Sequence, residues 1–226
     1  MTRTADLLIL IILLLVADSG GLFAQAQWKS VSNDNGVAIY SRKVVGQKES
    51  EFKGITDIDQ PIEVIGAVLA EIPAYTGWFF KCLQAEKISQ ISSTAYNFMV
   101  YITLDTPWPL WPRDVLYDVK IRIDMASGKV DVRGKAVPES VVPIRKDHVR
   151  ITDSELHWVL KRIDINQTRI IFIMRTDAGG SVSGYWSDLG SRKTIYHSLM
   201  NLHGIAADPK YEALGRKLVQ DYIQSN

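Results

Sequence analysis

Residues 107–124 read PWPLWPRDVLYDVKIRID, and the second half of this stretch alternates between apolar and charged side chains. Successive side chains of a β-strand point to opposite faces, so the pattern predicts a strand with one apolar and one charged face. Such a strand is typical of an antiparallel sheet that is packed on one side only. The apolar set is Val115, Tyr117, Val119, Ile121 and Ile123, and the charged set is Asp114, Asp118, Lys120, Arg122 and Asp124.

Further strand signals lie on both sides of this segment. Residues 95–104 alternate as well, and place on one side Tyr96, Phe98, Val100, Ile102 and Leu104. Short apolar runs between turn residues predict strands at 37–41, 51–57, 129–135, 148–152, 155–165 and 168–176. Residues 125–128 and 165–167 have the composition of hairpin turns, so neighbouring strands are expected to pair in sequence order.

Helical spacing replaces alternation in three places. Asp59 and Pro61 are typical of a helix start, and the apolar residues up to Ile72 share one face before Pro73 ends the helix. A helix of about 20 residues is predicted over 185–206, because apolar residues recur there near helical spacing. These are Tyr185, Leu189, Tyr196, Leu199, Met200 and His203. A peripheral C-terminal helix completes residues 207–226, and the fold class is α+β.

Composition restricts the function. The chain has 46% hydrophobic and 23% charged residues, which excludes wholesale disorder. A net charge of +1 gives no electrostatic surplus for binding nucleic acid, so no nucleic-acid partner is expected. Cys82 is the only cysteine, which rules out an internal disulfide, and its apolar neighbours predict a buried thiol. Residues 27–226 are interpreted as one domain, and we expect a monomer.

The first 26 residues resemble a secretory signal peptide. Arg3 precedes an aliphatic run at residues 7–17, and Ala24-Gln25-Ala26 offers small residues at a cleavage position. A membrane-spanning helix needs about 20 apolar residues, and this run ends sooner at Asp18. We therefore expect an exported, periplasmic or secreted protein. The alternative is an uncleaved membrane anchor that extends through Leu22 and Phe23.

An ordered set of short motifs resembles the START (steroidogenic acute regulatory protein-related lipid transfer) domains, in a bacterial, single-domain form. The resemblance covers residues 28–206, and the Pro-Trp-Pro segment before Arg113 is its strongest part. Each motif alone is weak, but their order and spacing match. They are Gly36-Val37-x-Ile39-Tyr40-Ser41-Arg42, Glu51-Phe52-Lys53-Gly54, Pro61, Trp78 with Cys82, Pro107-Trp108-Pro109-Leu110-x-x-Arg113-Asp114, Val149-Arg150-Ile151, Trp158, residues 168–174, Asp177-x-Gly179-Gly180 and Trp186.

The resemblance implies a helix-grip fold, in which a curved sheet wraps a long C-terminal helix and leaves a tunnel for one lipid or sterol. Residues 185–203 would cover the tunnel, and no cofactor or metal is expected. The cavity residues implied in this way are Tyr96, Phe98, Val100, Ile102, Val115, Tyr117, Val119, Ile121, Trp158, Met174, Leu189, Tyr196 and Met200. Each of them could equally be plain hydrophobic core, because a sequence does not show unfilled volume.

Polar anchors for a ligand are less well defined. Some family members carry ionisable residues at two inward strand positions, where this chain has Val100 and Val119. A polar anchor would then come from Tyr96, Tyr101, Tyr117 or the tunnel mouth, which favours a largely apolar ligand. Arg113 shares the parity of the apolar face. It is interpreted either as an ion pair or backbone clamp at the strand entrance, or as a ligand contact at the mouth.

The hinge before the long helix departs from the family pattern. Family members have prolines here, whereas this chain has Ala178 followed by Gly179 and Gly180 and a serine-rich run. Proline restricts the backbone, so its absence predicts a more mobile hinge. We expect the long helix to open about this hinge to admit a ligand.

Two other classes of function compete with lipid carriage. Related helix-grip folds include cyclases and hydrolases that act on hydrophobic molecules, but the four histidines show no metal-binding spacing. A transient membrane surface is the second possible partner. Trp108, Leu110 and Trp111 would suit a bilayer interface, and Arg192 and Lys193 could meet anionic headgroups. The alternative for Trp108 is packing within its own loop.

Overall fold

We describe a computed structural model of the chain over residues 27–88, 96–138 and 142–225. The predicted signal peptide and its anchor alternative fall on residues 1–26, outside the described residues. Within the described ranges, no helix combines the length and the apolar character needed to cross a membrane.

Ten strands form one sheet, and all neighbouring pairs but one are antiparallel. In spatial order the strands run β1-β2-β3-β10-β9-β7-β6-β5-β4, and the short β8 pairs with β6 in parallel. Their bounds are β1 Lys29–Asp34, β2 Val37–Lys43, β3 Ser50–Ile58, β4 Cys82–Ile88, β5 Asn97–Leu104, β6 Arg113–Asp124, β7 Lys129–Ala136, β8 Val149–Arg150, β9 Asp153–Arg162 and β10 Thr168–Asp177.

Within the described residues, four helices accompany the sheet: α1 Ile62–Ala70, α2 Tyr75–Trp78, α3 Gly184–Ile205 and α4 Lys210–Ser225. A single 3₁₀ turn, Ile72–Ala74, follows α1 and carries Pro73, which explains why the predicted first helix stops early. The α+β class, the curved antiparallel sheet and the long C-terminal helix are confirmed. The sequence did not predict β1, β4 or α2, and β8 is much shorter than the predicted strand 148–152.

Gly54, at the centre of β3, lies directly beneath α3. A Cβ atom at this position would lie 2.3 Å from Cγ2 of Ile195 and 2.6 Å from Cδ1 of Leu199, so the helix approaches too closely for any side chain. The strand register places Phe172 opposite Gly54, and Trp158 opposite Phe172. We call the sheet face that carries these residues the inner face, and the opposite side the outer face.

The buried side of α3 differs from the predicted one. It consists of Ser187, Ser191, Ile195, Ser198, Leu199 and Leu202. Of the residues predicted to form the apolar stripe, only Leu199 belongs to this set, and Tyr185 is 69% exposed. Three of the six are serines, whereas Ile195 and Leu199 are the two that lie over Gly54. Ser187 Oγ accepts a hydrogen bond from the N–H of Ala178, and Ser198 Oγ accepts one from the N–H of Phe80.

The outer face is partly covered, which corrects the expectation that it is simply charged and solvated. The short β8 lies beside the start of β6, where Val149 and Arg150 pair with Arg113 and Asp114, and Arg150 also donates to the carbonyl oxygens of Val142 and Pro143. Asp114 is fully buried there and receives two hydrogen bonds from Arg150, at 2.8 and 2.9 Å. Tyr101 donates to the same carboxylate at 2.8 Å. Tyr101 therefore lies on the outer face, and the prediction that it could anchor a ligand inside the tunnel is wrong.

The C-terminal helix α4 packs against α1. Tyr211 is fully buried, and a Cβ atom at Gly215 would lie 2.7 Å from the carbonyl oxygen of Glu63. An ion pair of 3.1 Å joins Lys210 to Glu71 after α1. The helix lies outside the sheet, as expected, but it is closely packed against its neighbour.

Candidate ligand-binding site

Strands β5, β6, β9 and β10 place most of the predicted cavity residues together on the inner face. Their register brings these side chains into adjacent rows. The members are Phe98, Val100, Ile102, Val115, Tyr117, Val119, Ile121, Trp158 and Met174. All nine are buried or half-buried in one apolar cluster.

Five aromatic rings cover the centre of this face. Trp158 stacks on Phe172 with ring centroids 3.7 Å apart, and Trp78 meets Trp158 edge-on at 5.8 Å. Tyr75 and Phe79 complete the group around Trp78. The indole nitrogen of Trp78 is buried and has no hydrogen-bond partner in the described chain. The sequence marked Trp78 only as a family landmark and missed Phe172 and Phe79, because nothing in the alternation shows what lies over the sheet.

Three hydroxyl groups form a chain across the inner face. Tyr117 Oη lies 2.8 Å from Ser154 Oγ, which lies 2.7 Å from Thr176 Oγ1. All three residues are buried. We call this set the hydroxyl row. Burial raises the pKa of Tyr117 to about 12, although its hydrogen bond with Ser154 acts in the opposite direction, so the phenol stays protonated at neutral pH.

Arg113 lies at the start of β6 and is almost completely buried. Its Nε donates to the carbonyl oxygen of Ala178 at 3.3 Å, and a terminal nitrogen donates to the carbonyl oxygen of Trp111. The same nitrogen lies 3.4 Å from Thr106 Oγ1. In the described chain, its partners are therefore carbonyl and hydroxyl oxygens rather than a carboxylate. Arg113 clamps the loop before β6 to the chain that leads into α3.

The segment between β10 and α3 contains two residues in the left-handed conformation, and the start of α3 is anchored to β3. Gly179 and Gly180 have φ angles of 70° and 65°, a conformation that strains residues with a Cβ atom. Asp188, in the first turns of α3, accepts from the backbone N–H and the hydroxyl of Ser50, at 2.7 and 2.6 Å. The start of α3 is thus held by Ser50 on one side. Opening about the glycines stays a prediction.

Four predicted cavity residues have other surroundings. Tyr96 meets the ring of Tyr222 from α4 at 6.1 Å. Leu189 and Tyr196 line a surface groove between α3 and the turn after β1, where Tyr196 Oη accepts from Asn35 at 2.8 Å. Met200 is half-buried against the core. Leu189 and Tyr196 line this groove because α3 is rotated relative to the predicted stripe, and Tyr196 also packs against the core.

Several exposed apolar side chains gather at one end of the sheet, which we call the mouth end. The connections β2–β3, β5–β6 and β10–α3 all lie there, because Ser50 pairs with Lys43, Leu104 with Arg113, and Asp153 with Asp177. Trp108 is 92% exposed, so the expectation of packing within its loop is wrong. The exposed set is Val45, Trp108, Leu110, Trp111, Ile144, Tyr185 and Trp186.

The histidines and the cysteine are engaged in structural contacts. His203 Nε2 lies 2.9 Å from Thr56 Oγ1 on the inner face, and burial lowers the His203 pKa. His157 contacts Asp131 on the outer face, and His197 stacks on Phe80. Cys82 is buried, as predicted, and burial raises its pKa to about 11. The described ranges contain no group of three potential metal-ligating side chains.

Comparisons with known proteins identify the fold of the chain. No protein-family model matches the chain. The Pseudomonas aeruginosa protein PA1579 is 27% identical over 158 residues, which cover 70% of this chain and 76% of that protein. A STAR-related lipid transfer protein of Xanthomonas axonopodis superposes with a TM-score of 0.71 at 24% identity, covering 79% of this chain and 98% of its own. Human STARD10 superposes with a TM-score of 0.73 at 18% identity, covering 92% and 82%. The chain therefore has the START fold.

Proposed function

We propose that this chain, which has the START fold, binds one lipid or sterol between the inner face and α3 and transfers it between membranes. The observation that carries the proposal is the continuous apolar inner face, which extends over β5, β6, β9 and β10 beneath a single long helix. Apolar burial contributes roughly 0.8 kcal/mol per CH₂ group, so an aliphatic chain of ordinary length binds without a charged clamp. The Xanthomonas axonopodis neighbour is named as a STAR-related lipid transfer protein, which agrees with the proposal.

The direct test is extraction of the purified full-length protein. We expect native mass spectrometry to retain one lipid-mass adduct per chain, and organic extraction to release it. A protein that carries no adduct and takes up no lipid from labelled vesicles would contradict the proposal.

Val100→Phe should reduce lipid occupancy severalfold, because the larger ring extends from the inner face into the space proposed for the ligand. Overpacking a filled core instead costs about 1–3 kcal/mol of stability. The matched control is Met99→Phe, one residue earlier on β5, which faces outward opposite Asp118. Lipid occupancy by mass spectrometry and the Tm are measured together. Equal lipid retention in both variants would count against the inner face as the site.

The mouth end is the surface proposed to meet the membrane. Trp108 and Trp111 project beside the segment into α3 that Arg113 holds, so a bilayer at this end would lie next to the entrance. Tryptophan is favoured at the membrane–water interface because one end of its ring is apolar and the other is polar. Arg192 and Lys193 line the groove with Asp34, which lessens their suitability for anionic headgroups.

Trp108→Ser together with Trp111→Ser should weaken binding to phosphatidylcholine vesicles by about tenfold or more, equivalent to ~1.4 kcal/mol. Vesicle co-sedimentation and lipid transfer rates provide the measurement. Ile165→Ser is the control, since Ile165 is 81% exposed but lies in the β9–β10 turn at the opposite end of the sheet. A similar loss in the control would indicate nonspecific hydrophobic adsorption.

Binding is proposed in preference to catalysis. The histidine nearest the inner face, His203, is hydrogen-bonded to Thr56, and the inner-face hydroxyls of the hydroxyl row bond to one another. An enzyme of the cyclase or hydrolase class would instead need a base positioned against a reacting atom. Turnover of a hydrophobic substrate that is lost in His203→Gln would contradict this preference.

A further inference from the structure

We propose that the hydroxyl row, Tyr117, Ser154 and Thr176, is the subsite that hydrogen-bonds an uncharged acceptor oxygen of the ligand. The row would select lipids whose polar part is an ester, ketone or other carbonyl group over free fatty acids and pure hydrocarbons. This inference rests on the proposed lipid-binding function and specifies its ligand class.

The row is built by strand register. Tyr117 of β6 lies opposite Ala136 of β7, and Asp177 of β10 lies opposite Asp153 of β9, which puts Thr176 opposite Ser154. Ala136 continues the β7–β9 register toward Ser154, one step past the Lys135–Glu155 pair. Because Ala136 has only a methyl group, it leaves room for the long Tyr117 side chain to reach Ser154 across it. The result is a polar line across an otherwise apolar face.

The hydroxyl row has one more proton than its internal hydrogen bonds use. Each hydroxyl donates once, so the three residues carry three protons, whereas the two contacts at 2.8 and 2.7 Å use two of them. No further hydrogen bond from these hydroxyls is found in the described chain. In every arrangement of the two bonds, one buried hydroxyl proton of the row remains without an acceptor in the described chain. A buried donor without an acceptor is destabilising, and a ligand oxygen would satisfy it.

The indole of Trp78 is a second, independent observation of the same kind. Trp78 is 1% exposed, and its Nε1–H has no partner in the described chain. Its ring lies against Trp158, which follows Ser154 on β9 at about 13 Å along the strand. Both spare groups are donors. The complementary ligand therefore offers acceptor oxygens to the inner face.

The surrounding charges favour an uncharged group at the row. Arg113 lies about 13 Å from Tyr117 along β6, and its guanidinium already binds the carbonyl oxygens of Ala178 and Trp111. On the other side, Ser50 holds the carboxylate of Asp188 at 2.6 Å, which disfavours an anion nearby. A carboxylate at the row would lose its hydration without gaining a cation, whereas a carbonyl loses much less.

The test compares three probes of equal chain length on the full-length protein: hexadecane, methyl palmitate and palmitate at pH 8, each delivered from cyclodextrin. The wild-type protein should bind methyl palmitate about threefold to tenfold more tightly than the other two, as expected for one hydrogen bond to a buried donor. The triple variant Tyr117→Phe, Ser154→Ala, Thr176→Val should bind the ester and the alkane equally. Replacing all partners with apolar groups of similar shape preserves the fold, which circular dichroism would verify.

Thr56→Val is the matched control, because it removes an inner-face hydroxyl that bonds His203 outside the row. It should keep the preference for the ester. Equal wild-type binding of alkane and ester would overturn this inference alone, as would a preference for palmitate that Arg113→Met abolishes. Failure of all three probes to bind would overturn the proposed function itself. The comparison of the three probes on the wild-type protein uses no variant, so its result holds even if a variant does not fold.

Discussion

Arg150→Met is expected to lower the free energy of unfolding by about 3–5 kcal/mol, because it leaves the buried carboxylate of Asp114 without its cation. Asp114 is fully buried and Arg150 is 4% exposed at its side chain. Among the described side chains, Tyr101 would then be the one that still donates to this charge, which is removed from water. Urea denaturation at pH 7 measures the change, on the condition that the m-value is unchanged.

The chain contains a matched control on its surface. Arg169 binds Asp57 with the same bidentate geometry, at 2.8 Å for both hydrogen bonds, but these side chains are 50% and 35% exposed. Arg169→Met should therefore cost only about 0–1 kcal/mol. The double variant Asp114→Asn, Arg150→Met should recover part of the loss, since it removes the uncompensated charge. Equal losses at the two sites would show that burial does not govern the strength of these pairs.

The Asp114–Arg150 pair also predicts an acid dependence. Burial raises the pKa of Asp114, but the hydrogen bonds from Arg150 and Tyr101 and the Arg150 charge lower it more, so its folded-state pKa lies below the ordinary 3.8. The pair's contribution is therefore fully present above the unfolded pKa and is lost as the pH falls through the folded value. The unfolding free energy should decline more steeply below about pH 4 in the wild type than in the double variant.

Gly54→Val is the second large effect, and it should reduce stability by about 3 kcal/mol, near the upper end of overpacking costs. Even its Cβ atom would lie 2.3 Å from Ile195, so either α3 or β3 must move. We also expect faster lipid exchange, because α3 would be displaced from the sheet that it covers. The measurements are the urea midpoint and the rate of lipid release.

A substitution elsewhere in α3 provides the control. A Cβ atom added to Gly190 would meet nothing beyond its own helix within 4 Å, so Gly190→Ala should raise stability by about 0.5–1 kcal/mol through helix propensity. Adding Ile195→Ala to Gly54→Val should restore part of the lost stability, because the closest contact disappears. Additive effects of these two substitutions would contradict the proposed contact.

Much of the inner face was predictable from the alternation alone. Val115, Tyr117 and Val119 lie on one side of β6 as expected, because the period of a strand fixes which residues share a face. The hairpin turns after β6 and β9 and the approximate bounds of α3 also follow from local residue preferences. The predicted buried side of α3 was wrong. The prediction relied on the spacing of large apolar residues such as Tyr185 and Leu189, whereas the side that is buried is rich in serine.

Local residue patterns were sufficient to predict the alternation of the strands, the helix that begins after the glycines, and the order of the elements, since these depend on neighbours along the chain. The three-dimensional packing was needed to show that Tyr101 and Asp114 are buried together on the outer face. It was also needed to show that α3 lies close against β3 at Gly54. Only the packing shows that Tyr117, Ser154 and Thr176 meet in one row. These contacts join strands that are distant in sequence. They depend on strand register and on what covers each face, which periodicity does not specify.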